Sequence, residues 1–266
     1  MNGQLRAQIV DVCITDYCSL NCKLCILGMP YITNKHHIAV EEYDRQLSEI
    51  FKIWNSAERL NLIGGEALLH PNICDIVERS LHYQDHYQSL RITTNDTIVP
   101  EDRMLALMAS SGKPCNFVIS DYGKLSRNLQ GLTERLESYN IPYRIDPYVG
   151  DNLYYGGWVD LGDYEFADLS KEELMVQYRE CAQTHTHFLS VYKGEVFQCC
   201  HAHHFNAVKG ALPEKTEYID LCDEELTIEE KKEIASRFFT MPTKSCQFCL
   251  GFNEKTSKRY PAAEQL

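Results

Sequence analysis

Residues 8–25 read QIVDVCITDYCSLNCKLC, an apolar, β-branched run that leads into Cys18, Cys22 and Cys25 at the spacing C-x3-C-x2-C. The run Gln8–Thr15 predicts a strand, and the cysteines follow it on a loop. Three thiols this close on a loop bury little apolar area together, but they can converge on one metal centre. An iron–sulfur cluster held by three thiolates leaves one iron without a protein ligand, open to a bound molecule. The alternative reading is zinc, with His36 or His37 supplying the fourth ligand.

Outward from that loop, strand-like and helix-like runs alternate over the first 150 residues. Strands are expected at Arg59–Ile63, Leu90–Thr94, Asn116–Ser120 and Tyr143–Val149. Residues 40–54 place Tyr43, Leu47, Ile50, Phe51 and Trp54 on one helical face. Further helices are expected at 71–81, starting at Pro71, and at 101–110 and 125–139. Alternation of this kind argues for a parallel sheet with crossover helices. Five βα units in this length suit an open, partial TIM-like barrel of five or six units, since a closed eight-stranded one needs about 250 residues. After Gly150 the pattern changes to an irregular segment, DNLYYGGWVDLGDYEF (151–166). A hairpin is expected at 187–199, turning at Lys193-Gly194, and a helix at 226–239 with Thr227 as N-cap. The division expected is a barrel at 1–155, a connector at 156–180 and a small C-terminal domain at 181–266.

Composition narrows the class. The chain has 266 residues, 12 cysteines and a net charge of −12. So acidic a chain is a poor candidate for nucleic-acid binding. It has no apolar stretch long enough for a membrane span and no signal-peptide pattern. A cytoplasmic location follows as an expectation, where thiols stay reduced and more often bind metal or react. Beyond the first three cysteines, Cys181, Cys199, Cys246 and Cys249 form a possible four-thiolate set, with a zinc site as the alternative. The stretch Cys199-Cys200-His201-Ala202-His203-His204 offers a further metal site or pocket-lining histidines. Cys13 and Cys115 read as buried packing residues, and Cys200 as pointing away from Cys199 along a strand.

The motif Cys18-x3-Cys22-x2-Cys25 after a first strand resembles that of the radical S-adenosylmethionine (radical SAM) enzymes. Leu24 stands where the family usually has an aromatic residue. Gly64-Gly65-Glu66, after the second strand, is similar to the family's stretch that holds the methionine amino group. Thr93-Thr94-Asn95 and Ser120-Asp121 resemble its polar strand ends. The resemblance implies S-adenosylmethionine bound by Gly64, Gly65, Glu66, Thr94, Asn95, Ser120 and Asp121, over a [4Fe–4S] cluster on Cys18, Cys22 and Cys25. The pattern Gly194-x4-Cys199 with the other three cysteines looks like the twitch domain, a short SPASM-like module that carries a second [4Fe–4S] on Cys181, Cys199, Cys246 and Cys249.

This resemblance implies cleavage of S-adenosylmethionine to a 5′-deoxyadenosyl radical, with an electron from a flavodoxin- or ferredoxin-type reductant. That radical takes a hydrogen atom from a C–H bond. Compact radical SAM–twitch chains resemble enzymes of aminocyclitols and sugars, so the expected substrate is a small, carbohydrate-like molecule. The expected outcome is alcohol oxidation, with the auxiliary cluster accepting an electron. Epimerisation with Cys200 as hydrogen donor is the runner-up, and a peptide-modifying maturase is a third reading. No N-terminal peptide-recognition domain is expected ahead of Cys18. Arg144 and Tyr122 are candidate substrate contacts. Tyr154, Tyr155 and Trp158 offer stacking faces, and Asp151, Asp160 and Asp163 offer hydroxyl acceptors.

Overall fold

A computed structural model describes residues 5–154, 158–162, 165–203 and 216–266. Its centre is one sheet of eight strands in the order β5-β4-β3-β2-β1-β6-β7-β8. The first five are β1 (Arg6–Cys13), β2 (Ser56–Ile63), β3 (Tyr87–Thr94), β4 (Cys115–Asp121) and β5 (Tyr143–Pro147). All are parallel to their neighbours. The crossovers are α1 (Val40–Ile53), α2 (Ile73–His82), α3 (Asp102–Ala109) and α4 (Leu129–Ser138). After β5 the chain runs through α5 (Lys171–Glu180) and α6 (Ala182–His185) and returns as β6 (Phe188–Tyr192), parallel to β1 on its other side. Six parallel strands with helical crossovers make the partial (β/α) barrel that the alternation predicts.

The helices form because their apolar residues recur on one face. In α1, Tyr43, Leu47, Ile50 and Phe51 are buried, and Glu41 and Glu42 favour its N-terminus. That face belongs to one core cluster with Leu60, Leu62, Leu90, Ile92, Phe117 and Ile119 from the sheet's apolar side. Each such side chain contributes roughly 1.5–3 kcal/mol when fully buried. The other side of the sheet is the concave one, and it carries different chemistry.

Lys193 and Gly194 turn β6 into β7 (Glu195–Phe197), both at positive φ, as expected of a tight hairpin. β8 (Tyr218–Asp220) completes the sheet, so the sheet continues beyond the expected connector. Thr227 caps the helix Ile228–Arg237 in a reciprocal capping box with Glu230. Two local expectations need correction. Pro71 precedes α2 by two residues rather than starting it, with Asn72 at the N-cap. Strand β7 ends at Phe197, so Cys200 does not alternate with Cys199 along a strand; it opens a helical turn at 200–203.

Candidate functional site

The loop after β1 is built by backbone pairing. Gly65 N–H donates to Thr15 O at 2.9 Å, and Glu66 N–H to Tyr17 O at 2.8 Å. These bonds press Gly64-Gly65 onto the segment leading to Cys18. A Cβ on Gly65 would sit 2.3 Å from Tyr17 O, and one on Gly64 2.5 Å from Thr15 O. Only glycine fits there, so the pair is required by chain packing as well as by any ligand.

Cys18, Cys22 and Cys25 line one cavity of about 280 Å³ together with Gly64, Gly65, Thr93, Thr94, Asn95 and Ser120. Tyr122, Tyr148 and Trp158 close another side. Tyr122 stacks on Tyr148 at 5.3 Å and meets Trp158 edge-on at 5.9 Å. Cys18 Sγ accepts from Asn95 Nδ2 at 3.5 Å and from Leu20 N–H at 3.4 Å. Burial pushes Cys18 up to about 12 and Cys22 up to about 11. Such thiols ionise only against a cation.

Glu66 does not line the cavity. It is buried, and its carboxylate accepts from Asn95 N–H at 2.7 Å and Leu68 N–H at 3.1 Å. Burial raises its pKa to about 7, partly offset by those amides. Its role in this geometry is to hold Asn95, and through it the wall beside Cys18. Asp121 likewise turns away from the cavity and accepts from Gly123 N–H at 2.8 Å.

His36 and His37 stand apart from the three thiols. His36 Nδ1 lies 2.7 Å from buried Asp16, while His37 bonds Thr15 and stacks on Tyr17. Among the described residues, no three of His, Cys, Asp and Glu cluster as they would around a single metal ion. The donor set is three thiols beside an open cavity, which suits a three-ligand cluster whose free corner faces that cavity.

The other four cysteines also meet. Cys181, Cys199, Cys246 and Cys249 surround a cavity of about 40 Å³ with Gln177, Tyr178 and Thr243. Backbone N–H groups of Phe252 and Gly251 donate to Cys181 Sγ and Cys249 Sγ at 3.4 and 3.2 Å. Gln177 Nε2 ties down the carbonyls of Cys246 and Cys249. Cys199 is held low by the Cys200 thiol and by the amides of Ala202 and His201. Four thiols with amide donors around one enclosed space fit a fully ligated cluster.

The candidate catalytic residues separate. Tyr122 is on the cavity wall. Arg144 is not; it is exposed on β5 and paired with Asp146 at 2.7 and 2.8 Å. Cys200 is buried beside Cys199, also off the wall. Trp158 lines the cavity, whereas Tyr154 and Asp151 are exposed and Asp160 accepts from the Tyr260 hydroxyl at 3.2 Å. Tyr155, Asp163 and His204 lie outside the described residues. His203 stacks on Tyr192 at 4.4 Å and bonds Ser190 at 2.8 Å.

Two site residues escape any reading of local sequence. Tyr148 follows the fifth strand and stacks over the cavity. Gln265 comes from the far end of the chain. Its Nε2 donates to Cys22 Sγ at 3.3 Å, and its Oε1 accepts from Asn21 N–H at 2.7 Å. No local pattern reports a contact across 243 residues.

The fold is a partial barrel with three thiols and a Gly-Gly turn on one cavity wall. Residues 12–123 match the family model of the Radical SAM superfamily. No curated protein sequence matches it. Among solved structures, BtrN in complex with AdoMet and 2-DOIA aligns over 98% of this chain and 98% of that one, with 12% identity and a TM-score of 0.52. The likeness shows a common fold along the whole chain. Streptococcus suis SuiB bound to its precursor peptide SuiA covers 91% of this chain and 69% of that one, at 12% identity and a TM-score of 0.45. No helix among the described residues is long and apolar enough to cross a membrane.

Proposed function

We propose that this chain is a radical SAM dehydrogenase of a small, hydroxylated, carbohydrate-like substrate, with a second, auxiliary cluster on Cys181, Cys199, Cys246 and Cys249. The observation that carries the reading is the common cavity wall of Cys18, Cys22, Cys25, Gly64, Gly65, Thr94, Asn95 and Ser120. When bound, S-adenosylmethionine and the two clusters supply hydrogen-atom abstraction from a C–H bond and uptake of the second electron of an alcohol oxidation.

The protein's part is positioning and shielding. The Gly64-Gly65 turn and the ends of β3 and β4 offer backbone and hydroxyl groups at the cavity rim, where ligands of this fold class bind. Asn95, fixed by Glu66, donates to Cys18 Sγ and so steadies that thiolate. Tyr122, Tyr148 and Trp158 present ring faces to the cavity and exclude water from its side. Oxidation is favoured over epimerisation by the place of Cys200. Its thiol bonds Cys199 and lies off the cavity wall, which disfavours it as a hydrogen donor. The compact resemblance to aminocyclitol and sugar enzymes supports the substrate class.

Anaerobic reconstitution followed by chromatography of the reaction mixture tests the reading. About eight irons per chain and 5′-deoxyadenosine formed from S-adenosylmethionine by the reduced protein are expected. A ketone product free of solvent deuterium supports oxidation. About four irons, or a deuterated epimer, contradicts it.

A further inference from the structure

Beneath the cavity, the concave face of the sheet carries a row of polar side chains where a filled barrel would carry branched apolar ones. Ser190, Asp11, Asn61, Arg91 and Asn116 pair in register across β6, β1, β2, β3 and β4. Side-chain bonds confirm that the row shares one face. Asn61 Nδ2 donates to Asp11 Oδ1, and Arg91 Nε to Asn116 Oδ1 at 2.8 Å. Ile63 and Thr93 of the cavity wall are two residues further along β2 and β3, on the same face. The row therefore lies about 7 Å below the cavity.

Two guanidiniums in this region lack a direct carboxylate partner among the described residues. Arg59 is two residues before Asn61 on β2 and shares its face. It is partly buried, and its Nε is enclosed without a partner. Neither Arg59 nor Arg91 has a carboxylate within 4.0 Å among the described residues. The third arginine, Arg144, is already matched by Asp146. Asn61 is buried, and its Oδ1 is an unpartnered acceptor, which suits a substrate hydroxyl and not the anion itself. Burial lowers both pKa values, helped by Arg144 for Arg59 and by Arg59 and Arg144 for Arg91, against the pull of Asp11. Asp11, the one acid in the row, is pushed up to about 6 by burial, against the pull of Asn61 and the two arginines. Both arginines keep partial solvent exposure, so an anion can reach them.

We infer that the substrate carries an anionic group, a phosphate ester or a carboxylate, which Arg59 and Arg91 bind on the concave face while its reacting carbon sits in the thiol-lined cavity above. This names the substrate class of the site proposed above and rests on that reading. Guanidinium forks match both oxyanions geometrically, and a partly dry setting strengthens the pairing.

The test is calorimetric titration of the reconstituted full chain, with S-adenosylmethionine present, using glucose, glucose 6-phosphate and glucuronate. At least one anionic sugar is expected to bind about tenfold tighter than glucose or better, and the tighter of the two identifies the oxyanion. Arg59→Gln and Arg91→Gln should each lose about tenfold on the anionic sugar alone. Arg103→Gln, on the outer helices, should change nothing. Equal binding of all three sugars, or binding of none, overturns the inference without using any variant. Formation of 5′-deoxyadenosine by the same preparation is scored separately. If it forms without preference for an anion, the inference falls and the radical reading stands. If the anion binds without it, the radical reading falls and the anion site stands.

Discussion

The two groups of thiols differ in number and in what surrounds them. Near the N-terminus, three sulfurs edge a cavity of about 280 Å³, whose wall also holds glycine backbone, strand-end polar groups, aromatic rings and aliphatic residues such as Leu24 and Ile63. Near the C-terminus, four sulfurs enclose about 40 Å³. Backbone amides and Gln177 bind there to the sulfurs and to the carbonyls beside them. The first arrangement has much the larger space beside its sulfurs. In the proposed function the same residue type serves for reaction in one place and for storing or passing charge in the other, and the ligand count distinguishes them.

The largest expected effect comes from removing one of the three. Cys22→Ala should lower 5′-deoxyadenosine formation by about 1,000-fold or more, with iron falling from about eight to about four per chain. Cys246→Ala should give a similar iron loss but leave cleavage of S-adenosylmethionine within about tenfold, while ketone formation stops. If both variants lose cleavage equally, the contrast between the sites fails.

Gly65→Ala tests the packing of the first loop. Its methyl would meet Tyr17 O and Cys18 Cβ. A loss of about 1–3 kcal/mol is expected in thermal unfolding of the metal-free chain, and unchanged stability would contradict the close approach. The smallest effect concerns pH. Folding raises Glu66 from its ordinary 4.5 to about 7. The folded chain therefore keeps this proton through a range where the unfolded chain has released it. Stability falls as pH rises between those values and is level above them. Glu66→Gln should remove that slope from the melting temperature. The relief of that buried charge is set against the loss of an acceptor by one of the Asn95 and Leu68 amides.

Much of this was legible before any fold was known. The thiol spacings, the Gly64-Gly65-Glu66 turn and the strand ends stand next to one another in sequence, and local chemistry reports them. The amphipathic face of α1 and the Lys193-Gly194 turn are set by local periodicity and backbone preference in the same way. The capping box of Ser170 and Glu173 that starts α5 was also written locally, in the S-x-x-E form, inside a stretch expected to be connector. Other features depend on tertiary pairing. Placing β6 beside β1 takes a return across more than 170 residues. The contact of Gln265 with Cys22 takes the docking of the C-terminal segment, where Lys23 N–H donates to Glu264 O at 2.7 Å. The arginines were hidden for another reason. Alternation places Arg59 and Arg91 opposite the helix-packed leucines of their strands, but only strand register shows that they share a concave face with Asp11 and Asn61.

The most direct measurement is electron paramagnetic resonance of the reduced, reconstituted protein with Cys246 and Cys249 both changed to alanine, so that iron sits on Cys18, Cys22 and Cys25 alone. Adding S-adenosylmethionine should change the cluster's spectrum, and 5′-deoxyadenosine should accumulate. A spectrum indifferent to S-adenosylmethionine, or a single zinc in place of iron, would contradict the account.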